Sequence, residues 1–208
     1  MNNDRPRHFS MIRGFHLADF FTLANAACGM GSVLLAMMYM QAQSLAVFLL
    51  AAALAPAALV FDILDGRIAR WRQEHSPLGR ELDSLADVIS FGVAPAALAF
   101  AAGMRGGWDA AVLIYFVCCG VSRLARYNVT AEALSGGTGK VKYFEGTPIP
   151  STVVLTALLA LAAWWGRAGD ALVGGTWTLG PWLLHPFALL FLLSGSLMIS
   201  KTLHIPKL

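Results

Sequence analysis

The chain has 208 residues, is 57% hydrophobic and 13% charged, and carries a mean hydropathy of +0.63. Soluble domains carry about 25% charge, so the composition excludes an ordinary soluble domain and points to an all-α polytopic membrane protein. The formal net charge of +3 gives no reason to expect a nucleic-acid partner, and Cys28, Cys118 and Cys119 lie in apolar runs without a CxxC pair, which reads as packing.

Residues Arg7 to Phe21 mix Arg13, His16 and Asp19 with Phe9, Ile12, Phe15 and Phe20, the pattern of an amphipathic helix lying in the membrane interface (segment 1–17) ahead of the first span. Six apolar segments follow, at about 18–40, 45–66, 82–103, 109–127, 150–167 and 181–201, each near the ~20 residues that cross ~30 Å of hydrocarbon. No repeat or composition break divides them, so 1–208 reads as a single membrane domain. With six spans, every basic residue except Arg105 and Arg167 falls on one side of the membrane, which places both termini in the cytoplasm. Trp164, Trp165, Trp177 and Trp182 fall on the opposite side as an aromatic belt, and Pro56 and Pro95 are expected to kink their spans.

Within the second and third spans the pattern breaks. Asp62, Asp65, Asp83 and Asp87 stand in otherwise apolar sequence, where each charge costs about 3 kcal/mol on insertion scales. Asp62, Asp65 and Ala69 share one helical face, and Gly79, Asp83 and Asp87 share another. The second span runs inward and the third runs back out, so Asp62 and Asp87 lie at similar depth, roughly 10–12 Å below the flanking Arg70 and Arg80. Two carboxylate pairs then face each other in a pocket open to the cytoplasm, a donor set suited to divalent cations. Gly66 and Ala69 leave room for a ligand to approach the backbone, and Arg70 and Arg80 supply charge suited to phosphate. Buried Asp–Arg stitching of helices accounts for two such acids but not four.

The spacing D-x2-D-G-x2-A-R-x8-G-x3-D-x3-D, met at every position from Asp62 to Asp87, resembles the signature of the CDP-alcohol phosphotransferase family. The stretches Glu81 to Pro95, Ser122-Arg-Leu-Ala-Arg-Tyr-Asn128, Phe144 to Pro150 and Ser200 to Lys207 are similar to its bacterial phosphatidylserine synthase branch. One departure is Glu145-Gly-Thr-Pro, where that branch often carries Thr-Gly-Leu-Pro. The resemblance implies an enzyme of the bacterial inner membrane, a homodimer with its site facing the cytoplasm. Such an enzyme transfers the phosphatidyl group of CDP-diacylglycerol to L-serine and releases CMP. It implies Mg²⁺ or Mn²⁺, two ions held by Asp62, Asp65, Asp83 and Asp87, with Asp87 also the general base on the incoming hydroxyl.

Gly66, Ala69, Arg70 and Gly79 are then the expected nucleotide contacts. Thr22 and Asn25, an i, i+3 pair in the first span, fit polar contacts to the nucleotide and helix–helix hydrogen bonds equally well. For the acceptor, Arg123 and Arg126 offer cations, while Lys140, Lys142 and Glu145 sit in the long loop beside them. Glycerol 3-phosphate, inositol or choline are the alternative acceptors, and charge alone does not separate them from serine. An ion-coupled transporter also carries intramembrane acids, but here they cluster on one helix pair and no second half mirrors them.

Overall fold

The computed structural model describes residues 16–72, 77–135, 143–200 and 204–206. The segment before His16, including most of the expected interfacial helix, and the loop lysines Lys140 and Lys142 lie outside the described residues.

Helix α1 (Leu17–Ala42) begins where Asp19, three residues after His16, accepts the His16 backbone N–H at 2.8 Å, and it ends at Gln43 in the left-handed region (φ 50). A turn of two residues returns the chain as α2 (Leu45–Arg72). At ~1.5 Å per residue these 28 residues exceed the ~30 Å of a hydrocarbon core, so α2 carries Asp62 and Asp65 toward one membrane surface within an unbroken helix. Helix α1 packs along α2, and Ala36 of α1 with Ala51, Ala52, Ala55 and Ala58 of α2 are buried, small side chains of the kind that let apolar helices approach closely. Ser32 donates across to the Ala51 carbonyl at 2.9 Å.

Helix α3 (Pro77–Asp87) continues through a single π turn (Val88–Val93) into α4 (Ala94–Ala101). At Gly29 in α1 a Cβ would lie 2.6 Å from the Ser90 Cα, so only glycine lets α1 touch the π turn. Gly29→Leu is expected to cost about 1–3 kcal/mol by overpacking, read as a lowered melting temperature in detergent. Helix α5 (Gly107–Ser135) packs on α7 (Ala188–Ile199), where Phe116 meets Phe191 edge-on at 5.1 Å. Strand β1 (Tyr143–Glu145) pairs antiparallel with β4 (His204–Pro206), and a 3₁₀ turn (Ile149–Thr152) opens α6 (Val153–Trp164).

Helices α1, α2, Leu78–Ala101 and Gly107–Val129 are long and apolar enough to cross a membrane, so the protein is a mostly helical polytopic membrane protein. Their outward faces carry exposed Leu34, Met37, Leu50 and Ile114, the surface that lipid covers. The last two expected spans come out shorter. Ile149–Trp164 stops before residue 167, at Gly166 with φ 69. The expected helix over 181–201 is replaced at its start by a hairpin, β2 (Trp177–Leu179) with β3 (Trp182–Leu184), and α7 runs only from Ala188. The reason is local: Gly180 takes φ 66, Pro181 and Pro186 have no N–H to give a helix, and alternate apolar residues suit paired strands.

A buried pair fastens this hairpin to α5. Asp109 is fully buried and accepts the Gly106 N–H at 2.9 Å, the His185 N–H at 2.8 Å and His185 Nδ1 at 2.6 Å. Trp108 adds its indole N–H to the Leu179 carbonyl at 2.9 Å. Asp109→Ala leaves three donors unpaired, and an expected loss of about 2–4 kcal/mol should appear as earlier thermal unfolding.

Candidate active site

Three helices build the site, and each brings its polar residues on one face. Helix α2 contributes Asp62 and Asp65, three residues apart; α3 contributes Asp83 and Asp87, four apart; α1 contributes Thr22 and Asn25. Asp62, Asp83 and Asp87 each present one carboxylate oxygen, and the three lie within 4.8 Å of one another. Asp87 is buried, and the buried Asp83 Oδ1 meets no hydrogen-bond donor among the described residues. No arginine or lysine among the described residues closes a salt bridge to these carboxylates.

Asp65 stands slightly apart. It is buried, within Coulombic range of Asp62 and Asp83, but its Oδ2 accepts the Thr22 hydroxyl at 2.8 Å. The four acids expected as one set therefore divide into a convergent trio and one hydrogen-bonded neighbour. Asn25 donates its Nδ2 to Asp87 Oδ1 at 3.2 Å, leaving its own buried Oδ1 without a partner among the described residues. Thr22 and Asn25 thus each make an interhelical hydrogen bond to a carboxylate.

This donor set fits a divalent cation. Three convergent carboxylate oxygens repel one another at this spacing unless a positive charge joins them, and an orphaned buried Asp83 oxygen is the kind of atom a hard ion satisfies.

Around the acids the flanking residues separate. Gly66 and Ala69 are half-buried on the same helix as Asp62, and the Arg70 guanidinium folds back over Gly66, where a Cβ would sit 3.6 Å from Nη1. Arg70 itself is exposed, and Gly79 is half-buried. The buried Arg80 Nε lies 4.0 Å from Glu81. Arg123 of α5 reaches into Coulombic range of Asp87, and its buried Nε has no hydrogen-bond partner among the described residues. Arg126, three residues on, instead donates to the Ile199 carbonyl at 3.5 Å and secures the end of α7. The backbone of Glu145 pairs with His204 in the β1–β4 ribbon. Asn128 bridges Ser84 at 3.0 Å and Glu81 at 3.4 Å, tying α5 to α3.

Sequence reasoning missed Ser90 and Thr152, both fully buried against backbone carbonyls near the site. It also missed Asp19, buried within Coulombic range of Asp65. Asp19 carried a signal, an acid three residues after a helix start; a serine and a threonine in apolar sequence carried none.

A membrane helix bundle presenting convergent aspartates in the spacing D-x2-D-G-x2-A-R-x8-G-x3-D-x3-D defines a class. Residues 15–193 match the CDP-alcohol phosphatidyltransferase family, and the chain belongs to that family. It is 43% identical over 211 residues to a CDP-diacylglycerol–serine O-phosphatidyltransferase of Saccharomyces cerevisiae, covering 96% of this chain and 74% of the relative. It is 41% identical over 145 residues to the Helicobacter pylori enzyme of that name, covering 69% of this chain and 56% of the relative. The Mycobacterium leprae enzyme of that name is 35% identical over 170 residues, covering 77% of this chain and 54% of the relative. The chain thus spans little more than half the length of these two bacterial relatives.

Proposed function

We propose that this chain transfers the phosphatidyl group of CDP-diacylglycerol to the hydroxyl of L-serine, yielding phosphatidylserine and CMP. The observation that carries the reading is the approach of three carboxylates from two helices to within 4.8 Å, with Arg123 of α5 in Coulombic range of Asp87. The relatives' names supply the acceptor. Asp62, Asp83 and Asp87 would hold the cation, Mg²⁺ or Mn²⁺, and Asp65, oriented by Thr22, stands ready to share a second one. When bound, such ions neutralise a diphosphate and acidify a ligated hydroxyl.

The chain's own residues do the rest. Gly66 and Ala69 admit the diphosphate close to the α2 backbone, with Arg70 and Gly79 lining the nucleotide side. Asn25 fixes the Asp87 carboxylate through its 3.2 Å hydrogen bond. Asp87 takes the proton from the serine hydroxyl as its oxygen forms a bond to the lipid-side phosphorus and the bond from that phosphorus to CMP breaks. Arg123 binds the serine carboxylate, with Lys142 and Glu145 the further acceptor-side candidates in the sequence. The charge asymmetry favours six membrane helices with both ends in the cytoplasm, so this pocket meets soluble serine and the lipid headgroup together, in the inner membrane of a bacterium and as a homodimer.

The deciding experiment incubates purified protein with CDP-diacylglycerol and Mn²⁺ or Mg²⁺, adds serine, glycerol 3-phosphate, inositol or choline in turn, and measures CMP. Serine-dependent release is expected, abolished by EDTA and restored by excess Mn²⁺. Release with another alcohol alone would move the acceptor, and none with any alcohol would end the reading.

A further inference from the structure

Asp87 stands where two helical registers meet. The π turn that follows it returns the Ala94 N–H to Ile89, five residues back, and so holds one residue more than an α turn. An extra residue rotates everything beyond it by about 100°. Asp83 and Asp87 thereby turn toward the acidic cleft, while Phe91 and Leu98 turn into the core, both fully buried.

Such single π turns inside α-helices are rare, and here two buried hydroxyls brace it from outside. Ser90 donates to the Asn25 carbonyl at 2.8 Å, and Asn25 is the residue whose side chain holds Asp87. Thr152, from the turn before α6, donates to the Phe91 carbonyl at 2.7 Å. That carbonyl lies four residues before Pro95, which has no N–H to return to it. Thr152 thus supplies from a distant segment the donor that Pro95 lacks.

We propose that Thr152 is a positioning residue for Asp87: its hydroxyl fixes the π turn, and the π turn sets the rotation at which Asp87 meets the other carboxylates. The proposal rests on the catalytic reading of Asp87, and its test separates the two. In the purified full chain, Thr152→Val keeps the shape and removes the hydroxyl. Turnover should fall about tenfold or more, since a displacement near 1 Å can cost a hundredfold, with the KM for CDP-diacylglycerol within about twofold. Mn²⁺ affinity, followed by electron paramagnetic resonance without lipid, should weaken several-fold. Thr152→Ser should restore both. Thr156→Val, which removes a buried hydroxyl one turn along α6 that has no partner among the described residues, should change neither.

Thr152→Val with turnover and Mn²⁺ affinity both within twofold of wild type overturns the proposal, as does failure of Thr152→Ser to restore them. Should Thr152→Val not purify, Pro95→Ala added to it returns an N–H beside the Phe91 carbonyl. Recovery of a folded protein with at least about a third of wild-type Mn²⁺ affinity supports the proposal, and a weakly binding folded double variant overturns it. A wild type that binds Mn²⁺ but releases no CMP with serine would sink the functional reading, and the Mn²⁺ comparison would still decide the role of Thr152.

Discussion

Asp87→Asn is expected to lower serine-dependent CMP release by about a thousandfold or more, because general-base catalysis contributes 10²–10⁴-fold and a ligand is weakened as well. The substitution is nearly isosteric, and the oxygen that Asn25 binds at 3.2 Å survives it, so the helix contact need not move. What is lost is the charge on one of three oxygens lying within 4.8 Å of one another, and with it the proton acceptor that the proposed mechanism requires. CDP-diacylglycerol affinity should stay within about threefold, since under the proposed reading the diphosphate meets the chain chiefly at the Gly66 face. Asp62→Asn and Asp83→Asn behave differently under this reading: their loss of turnover should be partly recovered at high Mn²⁺, whereas that of Asp87→Asn should not. The measurement is a Mn²⁺ titration of turnover for the three variants in parallel. An Asp87→Asn protein retaining a tenth of wild-type turnover, or rescued by metal as fully as the others, removes Asp87 as the base.

The second large effect separates two arginines that look equivalent in the sequence. Arg123→Gln should raise the KM for serine about 30-fold or more, the scale of losing a charged partner for a desolvated carboxylate. Arg126→Gln should leave that KM within a few-fold and lower thermal stability instead. The difference follows from their surroundings: Arg123 has a buried Nε with no hydrogen-bond partner among the described residues and lies within Coulombic range of Asp87, while Arg126 spends a donor on the Ile199 carbonyl at the end of α7. Neither substitution should alter CDP-diacylglycerol affinity. Equal serine KM values for the two variants would refute the division, and a larger effect at Arg126 would reverse it.

The two arginines show where reading the chain reaches its limit. At i, i+3 on one helix both satisfy positive-inside anchoring and both offer a cation, and only the neighbours, Asp87 for one and α7 for the other, tell them apart. The aspartates were legible for the opposite reason. A carboxylate in lipid-grade sequence costs so much that its presence announces a function, and spacing of three and four residues fixes a shared helix face without knowledge of the partner helix. Even so, periodicity treats Asp62 and Asp65 alike, and a hydroxyl one helix away draws Asp65 to Thr22. The hairpin over Trp177–Leu184 was hidden differently: its apolar residues pass for a span on hydropathy, and the turn at Gly180 and Pro181 carried the contrary signal.

What the amino-acid sequence determined alone was the membrane class, the helix pair that carries the chemistry and the family spacing of its acids. These follow from burial cost and helical period, which act locally along one chain. The tertiary structure decided which oxygens converge, that Arg123 comes within Coulombic range of Asp87 while Arg126 bonds the end of α7, and that Ser90 and Thr152 brace the π turn following Asp87. The last of these are contacts between residues about 60 positions apart, made by small hydroxyls that change hydropathy little. Only the packing of the helices brings them within hydrogen-bond distance.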